Sequence, residues 1–430
     1  MGKFIIEGGS RLKGEVTPSG NKNEALPTLA ACLLTDEEVV LDNLPRIRDV
    51  EVMAQVLADL GASVEWLDRN RLRVRAADIR KPALDRDLCG RVRASILFAG
   101  PMLARMREVL LPPPGGDVIG RRKLDTHFEA LKALGATLDV GDFYRLRARS
   151  LEGTEMFLDE ASVTGTENAI MAATLASGTT VIENAACEPH VQNLCRMLVS
   201  MGARISGIGT NIVTIEGVDR LHGTAHRIGT DYLEVGSFIG LAAILGDGVT
   251  IHHANPRDLR KIRYVFEKLG VEMSFSGTDC FVSGRQQLRI RPDFNGAIPE
   301  IDDAPWPQYP TDLMSIAIVV ATQASGTVLF FEKMFEGRMF FVDSLIGMGA
   351  SIILCDPHRV VVAGPSRLYG TRLESPDVRA GMALLIAGLT ASGRSTILNI
   401  RQIDRGYEAV DEKLRGLGAR IERVEDRPSA

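Results

Sequence analysis

Little in this sequence announces a particular chemistry. Its six cysteines, Cys32, Cys89, Cys187, Cys195, Cys280 and Cys355, include no Cys-x-x-Cys pair. The spacing offers neither a zinc ribbon nor a dithiol redox centre, and reduced core thiols are expected. The seven histidines do not cluster at ligand spacing, so no metal site and no cofactor are expected. No Gly-x-Gly-x-x-Gly opens a helix after the first strand and Gly-Lys-Ser/Thr is absent, which disfavours dinucleotide and P-loop folds. Charge of one sign is lacking too: 50 Lys and Arg against 55 Asp and Glu leave a net −5, giving no support to a nucleic-acid partner. The longest apolar-rich runs, 313–322 and 382–389, are too short to cross a bilayer as helices. No apolar segment of signal-peptide type follows Met1. A cytoplasmic protein without a membrane partner is the expectation.

What the chain does have is a repeat. An apolar-spaced helix, a glycine, a small residue and a strand recur six times, at Gly61, Gly135, Gly202, Gly270, Gly349 and Gly418. Val50, Met53, Leu57 and Leu60 precede Gly61; Val191, Leu194, Leu198 and Met201 precede Gly202; Tyr407, Val410, Leu414 and Leu417 precede Gly418. Those spacings put each set on one stripe of a helix, and the glycine suits the left-handed residue that ends it. A turn and a strand, usually closing near an Asn, run ahead of most of these helices: Val39–Asn43, Gly178–Asn184, Gly248–Asn255, Gly326–Glu332 and Gly393–Asn399. The second copy breaks the rule. There Val109–Leu111 leads into Pro112-Pro113-Pro114-Gly115-Gly116-Asp117, then Gly120-Arg121-Arg122, and an irregular loop on a regular scaffold is where function is sought. For 430 residues, two domains of three α/β units each are predicted, with a pause near residues 226–229.

Basic residues stand where the pattern breaks. Lys22 follows a Ser-Gly turn at the mouth of a helix, a place that suits an anion, though a surface lysine reads the same way. Arg91 and Arg93 precede an Ala-Ser-Ile helix, Arg121, Arg122 and Lys123 follow the Gly-Gly loop, and Arg338, Arg379 and Arg405 sit beside turns. Arginine clamps phosphate or carboxylate through paired donors. So many beside turns fit a doubly anionic substrate pair, while any one alone fits a solvated or capping residue. For acid–base work the candidates are Asp117, Asp231, Asp312 and Asp377. Asp312 equally suits the cap of a helix starting near Leu313, and Asp117 equally suits a plain turn.

Taken together, certain stretches resemble the enolpyruvyl transferases, and among them the UDP-N-acetylglucosamine 1-carboxyvinyltransferase family. They are Ser19-Gly20-Asn21-Lys22-Asn23, Arg93-Ala94-Ser95, Pro114-Gly115-Gly116 with Ile119-Gly120, Glu183-Asn184-Ala185 with Glu188-Pro189, and Tyr309-Pro310-Thr311-Asp312-Leu313. Later come Phe335-Glu336-Gly337-Arg338, Asp377-Val378-Arg379-Ala380 and Ile403-Asp404-Arg405-Gly406-Tyr407-Glu408. The likeness runs from Phe4 to about Val424. It implies an α/β fold of two inside-out, barrel-like domains, one of residues 1–21 with 230–430 and an inserted one of 22–229 that carries the loop 112–124. It also implies that substrates bind in the cleft between the domains. The implied reaction joins the enolpyruvyl group of phosphoenolpyruvate to the 3-hydroxyl of UDP-N-acetylglucosamine and releases phosphate. By resemblance, Lys22, Arg122 and Arg405 hold phosphoenolpyruvate. Asn23, Arg93, Ser162, Val163, Asp312 and Arg338 serve the sugar nucleotide, with Asp312 as the base for its hydroxyl, and Asp377, Arg379 and Asp231 line the cleft.

The sequence also departs from the family pattern. Most members carry cysteine, the general acid and the target of fosfomycin, where this chain has Asp117. Thr164-Gly165 replaces Gly-Ala after Ser162-Val163, and Lys123, Tyr232, Met314 and Phe341 replace Pro, Arg, Gln and His. Two other readings remain open from the residues: a paralogue with a different acceptor, and a weakly catalytic UDP-sugar-binding regulator.

Overall fold

The computed structural model describes residues 2–116 and 119–425; Asp117 lies outside them. Contacts divide the described chain into two units, one of residues 2–19, 119–121 and 230–425, the other of 20–116 and 122–229.

The repeat in the sequence is a repeat of small sheets. In the first unit they are built on Lys3–Glu7 with Arg394–Leu398, Leu12–Val16 with Gly246–Ile251, and Glu300–Asp302 with Gly326–Phe331. In the second they are built on Glu38–Asp42 with Thr224–Arg227, Glu155–Phe157 with Thr179–Glu183, and Glu108–Leu111 with Tyr144–Arg147. Among the described residues, five of the six have four strands, joined as one parallel pair and two antiparallel pairs. The sixth has three strands and reduces its parallel pair to the single bridge Ala83–Leu110. This sheet belongs to the copy whose strand runs into the Pro-Pro-Pro-Gly-Gly loop.

Helices fill the inside of each unit. In the first, Tyr232–Leu245, Met314–Gln323 and Val378–Thr390 are buried on nearly every side and pack on one another. Lys22–Ala31, Arg93–Met106 (a 3₁₀ turn running into an α-helix) and Val163–Ala173 do the same in the second. A helix apolar all round is stable only inside a core. Close approach is part of the packing: a Cβ on Gly240 would sit 2.7 Å from Ile316. Sheets outside and helices inside make the inside-out α/β arrangement.

The glycine-terminated helices form a second set, each with one face buried and the other partly exposed. Arg48–Leu60 and Pro189–Ser200 turn their predicted stripes inward, and all eight stripe residues are buried. The six repeat glycines all have φ between +86° and +111°. Asn43, Asn184 and Asn399, which close three of the predicted strands, also have positive φ. Among the described residues no helix is long and apolar enough to cross a membrane. All six cysteines are free, four of them buried, and burial pushes the Cys32 thiol up to about 12.

Candidate functional site

Most of the sequence-predicted site residues stand at the N-terminal ends of the inner helices. Lys22 and Asn23 open one, Arg93 opens a second, and Ser162 and Val163 begin a third. In the other unit Asp231 caps Tyr232–Leu245, Asp312 lies in the 3₁₀ turn before Met314, and Asp377 and Arg379 begin Val378–Thr390. Helix N-termini present unpaired N–H groups and positive potential, which favours anions. The preference of each repeat for a turn residue before its inner helix therefore gathers polar groups at one end.

In the first unit the arrangement centres on Asp312. Its Oδ1 is ion-paired with Arg338 Nη2 and its Oδ2 accepts from Arg379 Nε at 3.0 Å. The helix after it has no side-chain cap, so the capping role that the sequence allowed for Asp312 is not the one it plays. Burial alone would push the Asp312 carboxyl up, but the Arg379 and Arg338 guanidinium groups outweigh it and hold it well below the usual carboxylate range. Asp377 and Asp231 are caps. Asp377 Oδ1 accepts from the N–H of Arg379 at 2.8 Å and of Ala380 at 3.0 Å; Asp231 Oδ1 accepts from Leu233 at 2.9 Å and Glu234 at 3.3 Å. Arg338 Nη1 lies 3.9 Å from Asp377. Among the described residues, two buried donors in this cluster, Arg338 Nε and Arg379 Nη1, have no acceptor. Arg379 also lies over the Tyr407 ring, 5.5 Å from its centroid. Arg405, in the turn Ile403–Arg405, donates to Gln402 Oε1 at 3.0 Å.

Breaking this buried network leaves a charge without its partner. Arg379→Met is expected to lower unfolding free energy by about 3–5 kcal/mol, read by urea unfolding. A loss under 1 kcal/mol would show that the pair is not anchored as described.

In the second unit Lys22 Nζ is 2.8 Å from Asp49 Oδ2, and Arg93 Nη2 donates to the Arg122 carbonyl at 2.6 Å. The Gly-Gly loop approaches this region closely. A Cβ on Gly115 would fall 1.9 Å from the Gly90 carbonyl, and one on Gly116, with φ +116°, 2.7 Å from the Arg93 Cβ. His127 is buried beside these arginines. Burial, then Arg93 and Arg122, push it down to about 3, so it is neutral. Its tautomer follows from its neighbours. Gly100 N–H donates to Asn168 Oδ1 at 2.8 Å, which turns the Asn168 amide nitrogen to His127 Nδ1 at 2.8 Å. The ring proton is therefore on Nε2, facing the Thr164 hydroxyl at 3.1 Å. Ser162 Oγ accepts from Gly165 N–H at 3.3 Å. Among the described residues no group of three His, Cys, Asp or Glu side chains is placed to hold a metal.

The family model described as EPSP synthase (3-phosphoshikimate 1-carboxyvinyltransferase) matches residues 6–414. The structure of the enolpyruvyl transferase NikO from Streptomyces tendae superposes with a TM-score of 0.89 over 99% of this chain and 100% of that one, at 22% identity. EPSP synthase from Acinetobacter baumannii gives a TM-score of 0.75 over 99% of this chain and 100% of that one, at 18% identity. These likenesses show the fold. Sequence relatives go further. Proteins named UDP-N-acetylglucosamine 1-carboxyvinyltransferase are 56% identical in Treponema denticola, over 98% of this chain and 99% of that protein, and 55% identical in Bradyrhizobium diazoefficiens, over 99% of each. The chain belongs to the UDP-N-acetylglucosamine 1-carboxyvinyltransferase family. Within this family member, Met314 and Phe341 are buried in the core, where a change of side chain alters packing, whereas Lys123 is exposed. The structure also adds residues that the sequence did not single out for the site: Asp49, which pairs with Lys22, and His127 with Asn168, which are bonded to each other. Tyr407, read from the sequence as part of a helix stripe and of a motif, lies under Arg379.

Proposed function

We propose that this protein transfers the enolpyruvyl group of phosphoenolpyruvate to the 3-hydroxyl of UDP-N-acetylglucosamine with release of phosphate, in the cytoplasm, as the first committed step of peptidoglycan precursor synthesis. Identity of 56% along almost the whole chain to a relative of that name carries the reading. The chemistry is an addition followed by an elimination. The sugar oxygen bonds to C2 of phosphoenolpyruvate while C3 takes a proton. The C2–O bond to phosphate then breaks, and C3 gives up a proton to restore the vinyl group.

Asp312 is assigned to the acceptor hydroxyl. Held ionised by two guanidinium groups, it accepts a hydrogen bond from that hydroxyl throughout the neutral range. It gains basicity as the sugar's oxygens draw Arg338 and Arg379 away. The acceptor-free donors Arg338 Nε and Arg379 Nη1 are suited to such oxygens. Lys22, Arg122 and Arg405 are assigned to phosphoenolpyruvate, where fixed cations stabilise growing negative charge without moving. Asn23, Arg93, Ser162 and Val163 are assigned to the sugar nucleotide, and Asp117 to the proton delivered at C3.

The test is phosphate release by purified protein given phosphoenolpyruvate with and without UDP-N-acetylglucosamine. Release should require both. Binding of the sugar nucleotide without release would instead point to the regulatory reading, and release only with another acceptor to a paralogue.

A further inference from the structure

In three of the repeats the residue after the central strand is an asparagine with one job. Asn43, Asn184 and Asn399 donate their amides to the carbonyls of Ile228, Leu158 and Ser375, at 2.9, 2.9 and 3.1 Å. The parallel registers Asp42–Arg227, Glu183–Phe157 and Leu398–Glu374 make these equivalent places, one residue beyond a strand pair. In the fifth repeat the register is Phe331–Asp302, so the equivalent residues are Glu332 and Asp303. An ionised carboxylate has no proton to donate, yet both residues are fully buried. Glu332 Oε1 accepts from Met334 and Phe335 N–H, each at 3.1 Å, and Oε2 from the Thr311 hydroxyl at 2.8 Å. Asp303 Oδ1 accepts from Lys333 N–H. Among the described residues its Oδ2 is buried with no donor, and the Glu332 carboxyl acts on it from one place beyond the paired strand.

We propose that Asp303 and Glu332 share one proton, and that this acid pair positions Asp312 and Arg338. The positioning role rests on the enolpyruvyl-transfer reading. Thr311 immediately precedes Asp312, and Met334 and Phe335 begin the segment that ends in Arg338. One protonated bridge thus ties both halves of the Asp312–Arg338 ion pair to adjoining strands. The electrostatics agree: burial, then the Asp303 carboxyl, push Glu332 up to about 8 despite Thr311 and Arg338. The other charged neighbours are occupied. Lys333 pairs with Asp302, His358 Nδ1 meets the Glu332 carbonyl at 2.6 Å, Glu336 accepts from Arg121 N–H, and Arg338 is held by Asp312. When the proton leaves to solvent, two adjacent buried carboxylates repel, and Thr311 and the 333–338 segment lose their register.

Infrared difference spectra between pH 6 and 10 test the proton, and phosphate release across the same range tests the role. A protonated-carboxyl band should disappear with an apparent midpoint near pH 8 and should be missing at pH 6 in Glu332→Gln. Glu332→Gln and Asp303→Asn each replace the shared proton with an amide hydrogen that does not titrate. The ratio of variant to wild-type kcat should therefore rise about tenfold per pH unit above that midpoint, while ionisations common to both enzymes cancel. No band lost at pH 6 in Glu332→Gln overturns the shared proton. A band that titrates while the ratio stays flat in both variants overturns the positioning role. If no phosphate is released at any pH, the functional reading fails, and the spectra still decide whether the proton is shared.

Discussion

Asp312→Asn is expected to lower kcat for phosphate release by about 10²- to 10⁴-fold, the range for losing a positioned general base, with the KM for phosphoenolpyruvate changed little. The substitution is nearly isosteric, so what it removes is charge. Arg338 and Arg379 both point at this carboxylate. An amide can accept from one of them but turns its own NH₂ toward the other. Asp377, 3.9 Å from Arg338, does not replace it, because it is already occupied in capping.

A stability readout separates this from simple damage. The folded-state pKa of Asp312 is depressed, so its ion pairs stabilise the protein above the unfolded value of about 3.9. That contribution is lost as pH falls through the folded value. The stability gap between wild type and Asp312→Asn should therefore be full from pH 5 to 8 and shrink below about pH 4. Saturating-substrate kcat within tenfold of wild type would remove Asp312 from the reaction whatever the melting curves show.

The scaffold was legible because its signals are local. Gly61 and its five counterparts, the apolar stripes before Gly61, Gly202 and Gly418, and the strand-closing asparagines are each set by backbone conformation or helix periodicity. The site was legible only in part. Lys22, Arg93, Asp312 and Arg379 stood out as charged residues beside turns, and they do occupy the ends of inner helices. Not every partner was visible. Asp49 pairs with Lys22, and the buried His127–Asn168 pair lies beside Arg93, contacts that depend on how separate segments pack. The capping alternative for Asp312 is equally good in the sequence, and only the contacts of Arg338 and Arg379 with its two oxygens decide against it. Glu332 carries a local signal of its own, because it stands where three other repeats have asparagine.

The residue that most separates this protein from its family's usual pattern is Asp117, and exchanging it should produce opposite effects on catalysis and on inhibition. Asp117→Ala is expected to cost about 10²- to 10⁴-fold in kcat as the loss of a general acid. Asp117→Cys should retain turnover but become open to covalent inactivation by fosfomycin, to which the wild type should be insensitive. The difference lies in the nucleophile. A thiolate is soft and attacks an epoxide carbon, whereas a carboxylate is a poor nucleophile toward it. The two acids also differ in when they hold a proton, with unperturbed values of about 3.9 for Asp and 8.5 for Cys. To deliver a proton near neutral pH, Asp117 must be raised by burial or by the negative charge of bound substrate. Wild-type kcat should then fall on the alkaline side of that raised value, and Asp117→Cys should hold its rate to higher pH. Preincubation with fosfomycin, followed by mass measurement and residual phosphate release, reads the first effect, and paired pH profiles read the second. Time-dependent labelling of the wild-type protein, or an Asp117→Cys protein that resists the epoxide while still turning over, would each show that residue 117 does not stand at the reacting carbon.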